Sequence, residues 1–108
     1  MELNEYQKAA LSTAIYPNDN NISYLALAIC GEAGELADKV KKVIRDKNGQ
    51  FYIADLSAIA LELGDILWYA ANLAKVLGYD LSDIAQMNIE KINGRVERGT
   101  IHGTGDNR

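Results

Sequence analysis

Apolar side chains recur at spacings of three and four residues in four stretches of the chain, which is the period of amphipathic helices. The first covers about residues 3–15, with Leu3, Tyr6, Ala10, Leu11, Ala14 and Ile15 on the apolar side and Asn4 as candidate cap. A polar loop from Tyr16 to Asn21 holds the chain's one proline, so the later helices are uninterrupted. Ser23 is the expected cap of a second helix over about 24–45, whose lysines at 39, 41 and 42 suit the negative end of its dipole. Asp46 to Gln50, containing Asn48-Gly49, reads as a turn. A third helix is expected from Ile53 to Leu77, with Asp55 in its first turn and Gly78 ending it. Asp80-Leu81-Ser82-Asp83 opens a fourth, over about 81–96. No stretch alternates as a strand would. The pattern predicts an all-α fold, with one domain over residues 1–97 and a glycine-rich tail over 98–108. Two long helices in a hairpin with two shorter ones leave much apolar surface uncovered, which a second copy would bury.

Two acidic pairs interrupt that pattern. Glu32 and Glu35 stand in Gly-Glu-Ala-Gly-Glu-Leu, and Glu62 and Asp65 in Glu-Leu-Gly-Asp-Ile-Leu. Each pair is spaced i, i+3, so both members share a helix face. At ~100° per residue, Leu25, Ala28, Ile29, Leu36, Val40 and Val43 all fall within about 80° of Glu32. The first pair therefore lies inside the apolar stripe, where uncompensated carboxylates are costly. Glu62 and Asp65 lie beside Ala58, Ile59, Tyr69, Leu73 and Val76, at the edge of the buried face. The two pairs stand at comparable distances from the turn, so an antiparallel hairpin brings them to similar heights. Four carboxylates gathered in this way repel one another, and hard divalent cations such as Mg²⁺ or Mn²⁺ are their natural compensation.

The 108 residues are 48% apolar and 24% charged, which suits one globular domain. A net charge of −4 argues against a nucleic-acid polymer as partner but leaves phosphate ligands open, because bound metal inverts local charge. The single cysteine, Cys30, precludes an internal disulfide and fits a reducing cytoplasm. The acidic, polar start lacks the pattern of a signal peptide, and Glu62, Asp65, Asn72 and Lys75 break the longest apolar run, against a membrane span.

Glu-x-x-Glu, 26 intervening residues, then Glu-x-x-Asp, in an all-α chain of this length, resembles the MazG-type nucleoside triphosphate pyrophosphohydrolases. The likeness extends to Tyr6-Gln7 and Thr13-Ala14, to Leu63-Gly64-Asp65-Ile66-Leu67-Trp68-Tyr69, and to Asn88, Lys91 and Arg95 in an Asn-x-x-Lys-x-x-x-Arg pattern. The ending Gly103-Thr104-Gly105-Asp106-Asn107-Arg108 is similar to compact members, including those carried by phages. One departure is Gly31, where many members place a further glutamate, so the water-activating group is left open. The resemblance implies cleavage of a nucleoside or deoxynucleoside triphosphate between its α- and β-phosphates, in nucleotide pool control or clean-up. It implies two or more Mg²⁺ or Mn²⁺ ions held by Glu32, Glu35, Glu62 and Asp65, and phosphate contacts from Lys91 and Arg95 with Asn88. It also implies a homodimer or homotetramer, acting in the cytoplasm of a host if phage-encoded. Tyr6 and Gln7 become candidates for base contact, and Trp68 for stacking on a base.

Plainer roles stand beside these. The acids could be surface charge paired with lysines, and Lys39, four residues after Glu35, is a partner on the same face; it could also meet phosphate, but the structural role is the preferred reading. Asn88, Lys91 and Arg95 could form a solvated face. Trp68 and its neighbour Tyr69 suit packing better than ligand contact, since adjacent helical residues point apart. Cys30 reads as a buried thiol, and His102 as exposed. The tail could close over phosphate through Arg98, Arg108 and glycine N–H groups, or be disordered. A di-iron site would need histidine at position 35 or 65 and is rejected. A non-catalytic helical protein, or the same fold acting on a nucleoside diphosphate or modified nucleotide, are the remaining alternatives.

Overall fold

The computed structural model describes residues 1–106; Asn107 and Arg108, the last two residues of the phage-like ending, lie outside the described residues. Four helices follow in order: α1 (Leu3–Ser12), α2 (Asn21–Lys47), α3 (Ile53–Val76) and α4 (Leu81–Arg98). The described residues contain no strand, as an all-α pattern requires.

The long α2 and α3 form the hairpin, and its turn is fixed by local chemistry. Asn48 and Gly49 both adopt left-handed backbone (φ 52° and 75°), which ends α2. The Asp55 carboxylate then accepts the Tyr52 N–H at 2.9 Å, covering an N–H that the first turn of α3 leaves unpaired, and takes an ion pair from Lys47 Nζ at 2.6 Å across the turn. The turn is therefore clamped from both helices.

The shorter helices sit at the far end of α3. Gln7 is buried in α1 and joins three segments: its Nε2 donates to the Ala71 and Tyr79 carbonyls, and its Oε1 accepts the Leu81 N–H. Asn4 does not cap its own helix. Its Oδ1 accepts the Ser82 N–H at 3.0 Å, so α1 caps the start of α4 from outside. Ala10, Ala71, Ala74 and Leu81 form the packed cluster, with Tyr6, Trp68 and Ile84 against it. Among the described residues α4 packs on α1 and α3 but not on α2.

Several expectations are corrected. Ser23 lies inside α2, which begins two residues earlier behind Asn20. The first helix stops at Ser12, where the Thr13 hydroxyl donates to the Ala10 carbonyl and accepts the Trp68 indole N–H at 2.9 Å. Cys30 is exposed rather than buried. At ~100° per residue it stands about 160° round α2 from Glu32, on a face that α3 does not cover.

The radius of gyration is 16.6 Å, against about 13 Å for a compact chain of this length. Leu27 and Leu61 are each 72% exposed and Leu63 58%. The long hairpin is covered on one side only.

Candidate metal centre

The hairpin brings three of the four acids together. Glu32 from α2 and Glu62 and Asp65 from α3 each offer a carboxylate oxygen, and these oxygens all lie within 4.8 Å of one another. Glu35 is exposed and stands outside that cluster. Burial among the acids is partial: Glu32 and Glu62 are half-buried, whereas Asp65 is exposed. The stripe is therefore less sealed than its sequence pattern implies, because nothing among the described residues covers the outer edge of the hairpin.

The charges act on one another. Partial burial, then Asp65, Glu62 and Glu35 in that order, push the Glu32 carboxyl above its ordinary range. Lys39 Nζ lies 3.4 Å from Glu62 Oε1, so this lysine reaches across the hairpin instead of pairing along α2 with Glu35. It offsets one of the clustered charges, and among the described residues the other clustered acids have no ion pair.

Two tyrosines flank the cluster. Burial, and then Asp65, raise the Tyr6 hydroxyl above its usual range. Burial also raises the Tyr69 hydroxyl, with Tyr24, Glu32 and Asp65 adding to it. Tyr69 follows Asp65 by four residues, so the spacing that reveals the acids also placed this phenol on their face. Trp68 points elsewhere: its ring packs on the core and its N–H is committed to Thr13. Gln7 likewise serves the fold, with both side-chain ends engaged in backbone bonds. Both side chains thus hold structural partners at the positions where the sequence offered base contacts.

The cationic candidates gather on α4. Asn88 and Lys91, with Ile84 and Met87, line a shallow groove of about 270 Å³. Lys91 and Arg95 meet on Asp106, whose Oδ1 accepts from Lys91 Nζ at 3.3 Å and from Arg95 Nη2 at 3.1 Å. Asp106 was not distinguished in the sequence from the rest of the tail.

A family model described as the MazG nucleotide pyrophosphohydrolase domain matches residues 20–100. The chain belongs to that family. It is also 44% identical over 114 aligned positions to the Gene 37 protein of Mycobacterium phage L5, with 100% of both chains covered. No solved structure matches. The MazG match spans all four acids together with Asn88, Lys91 and Arg95, and leaves Tyr6, Gln7 and Asp106 outside.

The donor set of this MazG chain is all oxygen and all anionic, as hard divalent cations require. The proximity of the three carboxylates, and the upward shift of Glu32 that it helps produce, fit a site whose charge is completed by a cation. Among the described residues no helix is long and apolar enough to cross a membrane.

Proposed function

We propose that the protein hydrolyses (deoxy)nucleoside triphosphates at the α–β anhydride, giving the monophosphate and pyrophosphate, in nucleotide pool control or clean-up in the cytoplasm. One observation supports this above the rest. Within the MazG span, Glu32, Glu62 and Asp65 come from two helices to place oxygens within 4.8 Å of one another.

These three carboxylates would hold Mg²⁺ or Mn²⁺, in two or more ions, with exposed Glu35 supplying further ligand oxygens. A bound divalent ion supplies Lewis-acid stabilisation of phosphate charge and lowers the pKa of water. The chain's own residues do the rest. Glu32, with Glu62 and Asp65, would set where the ion sits and so which water it activates. Lys91 offers a point charge and Arg95 a fork to phosphate oxygens, with Asn88 beside Lys91 in the groove. Lys39, 3.4 Å from Glu62, holds the site's charge partly balanced. Tyr69 and Tyr6 bound the acidic cluster and present aromatic surface next to it.

Glu32 and Glu35 lie on α2, which does not pack on α4 among the described residues, whereas Glu62 and Asp65 lie on α3, which does. The reading includes a homo-oligomer, in which a second copy covers the open hairpin face. The extended radius of gyration and the apolar groove of about 460 Å³ along Ala60, Leu63, Gly64, Ile66, Leu67 and Ala70 support it.

Product analysis of the purified protein with and without Mg²⁺ or Mn²⁺, across the eight standard triphosphates, tests the reaction. Metal-dependent monophosphate and pyrophosphate are expected, falling by more than about 100-fold in Glu62→Ala. Diphosphate with orthophosphate would place the cleavage at the wrong bond. The absence of both turnover and metal binding would sink the enzymatic reading.

A further inference from the structure

The α4 cation pair already has an anion on it, and that anion comes from the chain's own tail. Lys91 and Arg95 are spaced i, i+4 and so share one face of α4. The Arg95 side chain is only 6% exposed, and a guanidinium this buried needs an anionic partner. Both partners of its Nη2 come from the tail: the Gly105 carbonyl at 3.3 Å and Asp106 Oδ1 at 3.1 Å. Its Nε is buried without a hydrogen-bond partner among the described residues.

The fit is loose. A single oxygen, Asp106 Oδ1, meets both cations at 3.1 and 3.3 Å, whereas charge-assisted bonds settle near 2.7–2.9 Å. Surface pairs elsewhere in the chain reach that range, such as Lys42–Asp38 at 2.7 Å. A guanidinium fork can engage two oxygens at once, and here one of its buried N–H groups has no partner among the described residues. Asp106 is itself 83% exposed, so little packing holds it in place. The tail's root is firmer: the Thr100 N–H donates to the Arg95 carbonyl at 2.8 Å, and Gly103 N–H to Thr100 at 3.1 Å. Left-handed Gly99 (φ 69°) and Gly105 (φ 80°) turn the chain back toward α4. Hydrogen bonding first to Lys91, and then its charge, hold the Asp106 carboxyl below its usual range, so it is an anion at neutral pH.

We propose that Asp106 is an internal stand-in for a substrate phosphate, occupying the Lys91–Arg95 anion site of the free protein and leaving it when a polyphosphate binds. This rests on the reading of Lys91 and Arg95 as phosphate ligands. A phosphate group offers more oxygens and more charge than one carboxylate, and the two anions repel at a shared site. The tail is then a competitor whose removal tightens binding. A positioning role for Asp106 has the opposite sign.

The test is calorimetric titration of metal-free protein with inorganic tripolyphosphate, comparing the wild type with Asp106→Asn and with Asp106→Asn combined with Arg95→Gln. Asp106→Asn is expected to bind about fivefold tighter, from the loss of two part-exposed ion pairs, and the added Arg95→Gln is expected to abolish that gain. In the wild type, the carboxyl-carbon NMR signal of Asp106, which meets Lys91 and Arg95, is expected to move toward that of an unpaired aspartate when tripolyphosphate is added, a readout that needs no variant. Unchanged or weaker binding by Asp106→Asn, an Asp106 signal that stays in place while tripolyphosphate binds, or no binding by either protein overturns the proposal. No step depends on turnover. Tightening in a protein that hydrolyses nothing would leave the displaced tail standing and the enzymatic reading fallen; turnover without tightening would do the reverse.

Discussion

Glu32 shows how a single carboxylate can report the chemistry of a site. Its folded-state pKa is raised, so its contribution to stability is fully present below its ordinary value and is lost as pH rises through the folded value. The surface aspartates act oppositely. Hydrogen bonds from Lys41 and then Lys42 hold Asp38 at about 2, and Asp46, Asp55 and Asp106 are lowered as well, by Arg45, Lys47 and Lys91 respectively. Their contribution is present above the ordinary aspartate value and is lost as pH falls through the folded values. Metal-free protein should therefore lose stability on both sides of a mildly acidic optimum. Glu32→Gln removes the upper loss, and its metal-free melting temperature at pH 7 is expected to rise, on the order of 2 °C. The same variant should lose the stabilisation that Mg²⁺ or Mn²⁺ is expected to give the wild type under the proposed function. Differential scanning calorimetry with and without metal checks both, and a drop in the metal-free melting temperature would contradict the repulsion argument.

The helices themselves were largely legible in the sequence, because period and punctuation are local signals. All four appear, and the third starts at Ile53 as expected. The register of the two acidic pairs was legible for the same reason: helix rise and a short turn set their relative height. Other features depended on distant chain. Asn4 looked like a cap for its own helix, yet it and Gln7 cap α4 through Ser82 and Leu81. Glu35 matches Glu32 in motif but stays outside the close cluster, since helical spacing fixes a face and not the reach of a side chain. Gln7→Ala is expected to destabilise the protein by about 3 kcal/mol, because two carbonyls and a helix-start N–H lose their partners together. Urea unfolding followed by circular dichroism measures it. A cost under about 0.5 kcal/mol would mean that water replaces the amide without loss.

As a whole, the molecule is a long charged hairpin with a small packed cluster at one end. That cluster is built from Ala10, Ala71, Ala74 and Leu81, and among the described residues Leu25 and Val43 of α2 are the other buried apolar side chains, little apolar volume for a hairpin of this length. Association through the α3 groove would supply the missing cover. Leu67→Glu places a charge in that groove and should shift the protein toward monomer in light scattering coupled to gel filtration. It should lower the melting temperature in step with the shift. A wild type that is already monomeric at micromolar concentration would remove the basis for a shared site.

The exposed thiol gives that outer surface a natural reporter. Cys30 is the chain's one cysteine and points away from the acids, so a thiol reagent reads a single location without interference from the proposed chemistry. If copies associate as proposed, a Cys30 that reacts at the rate of an open cysteine would place the contact on another face, and a shielded one would place it on the back of α2.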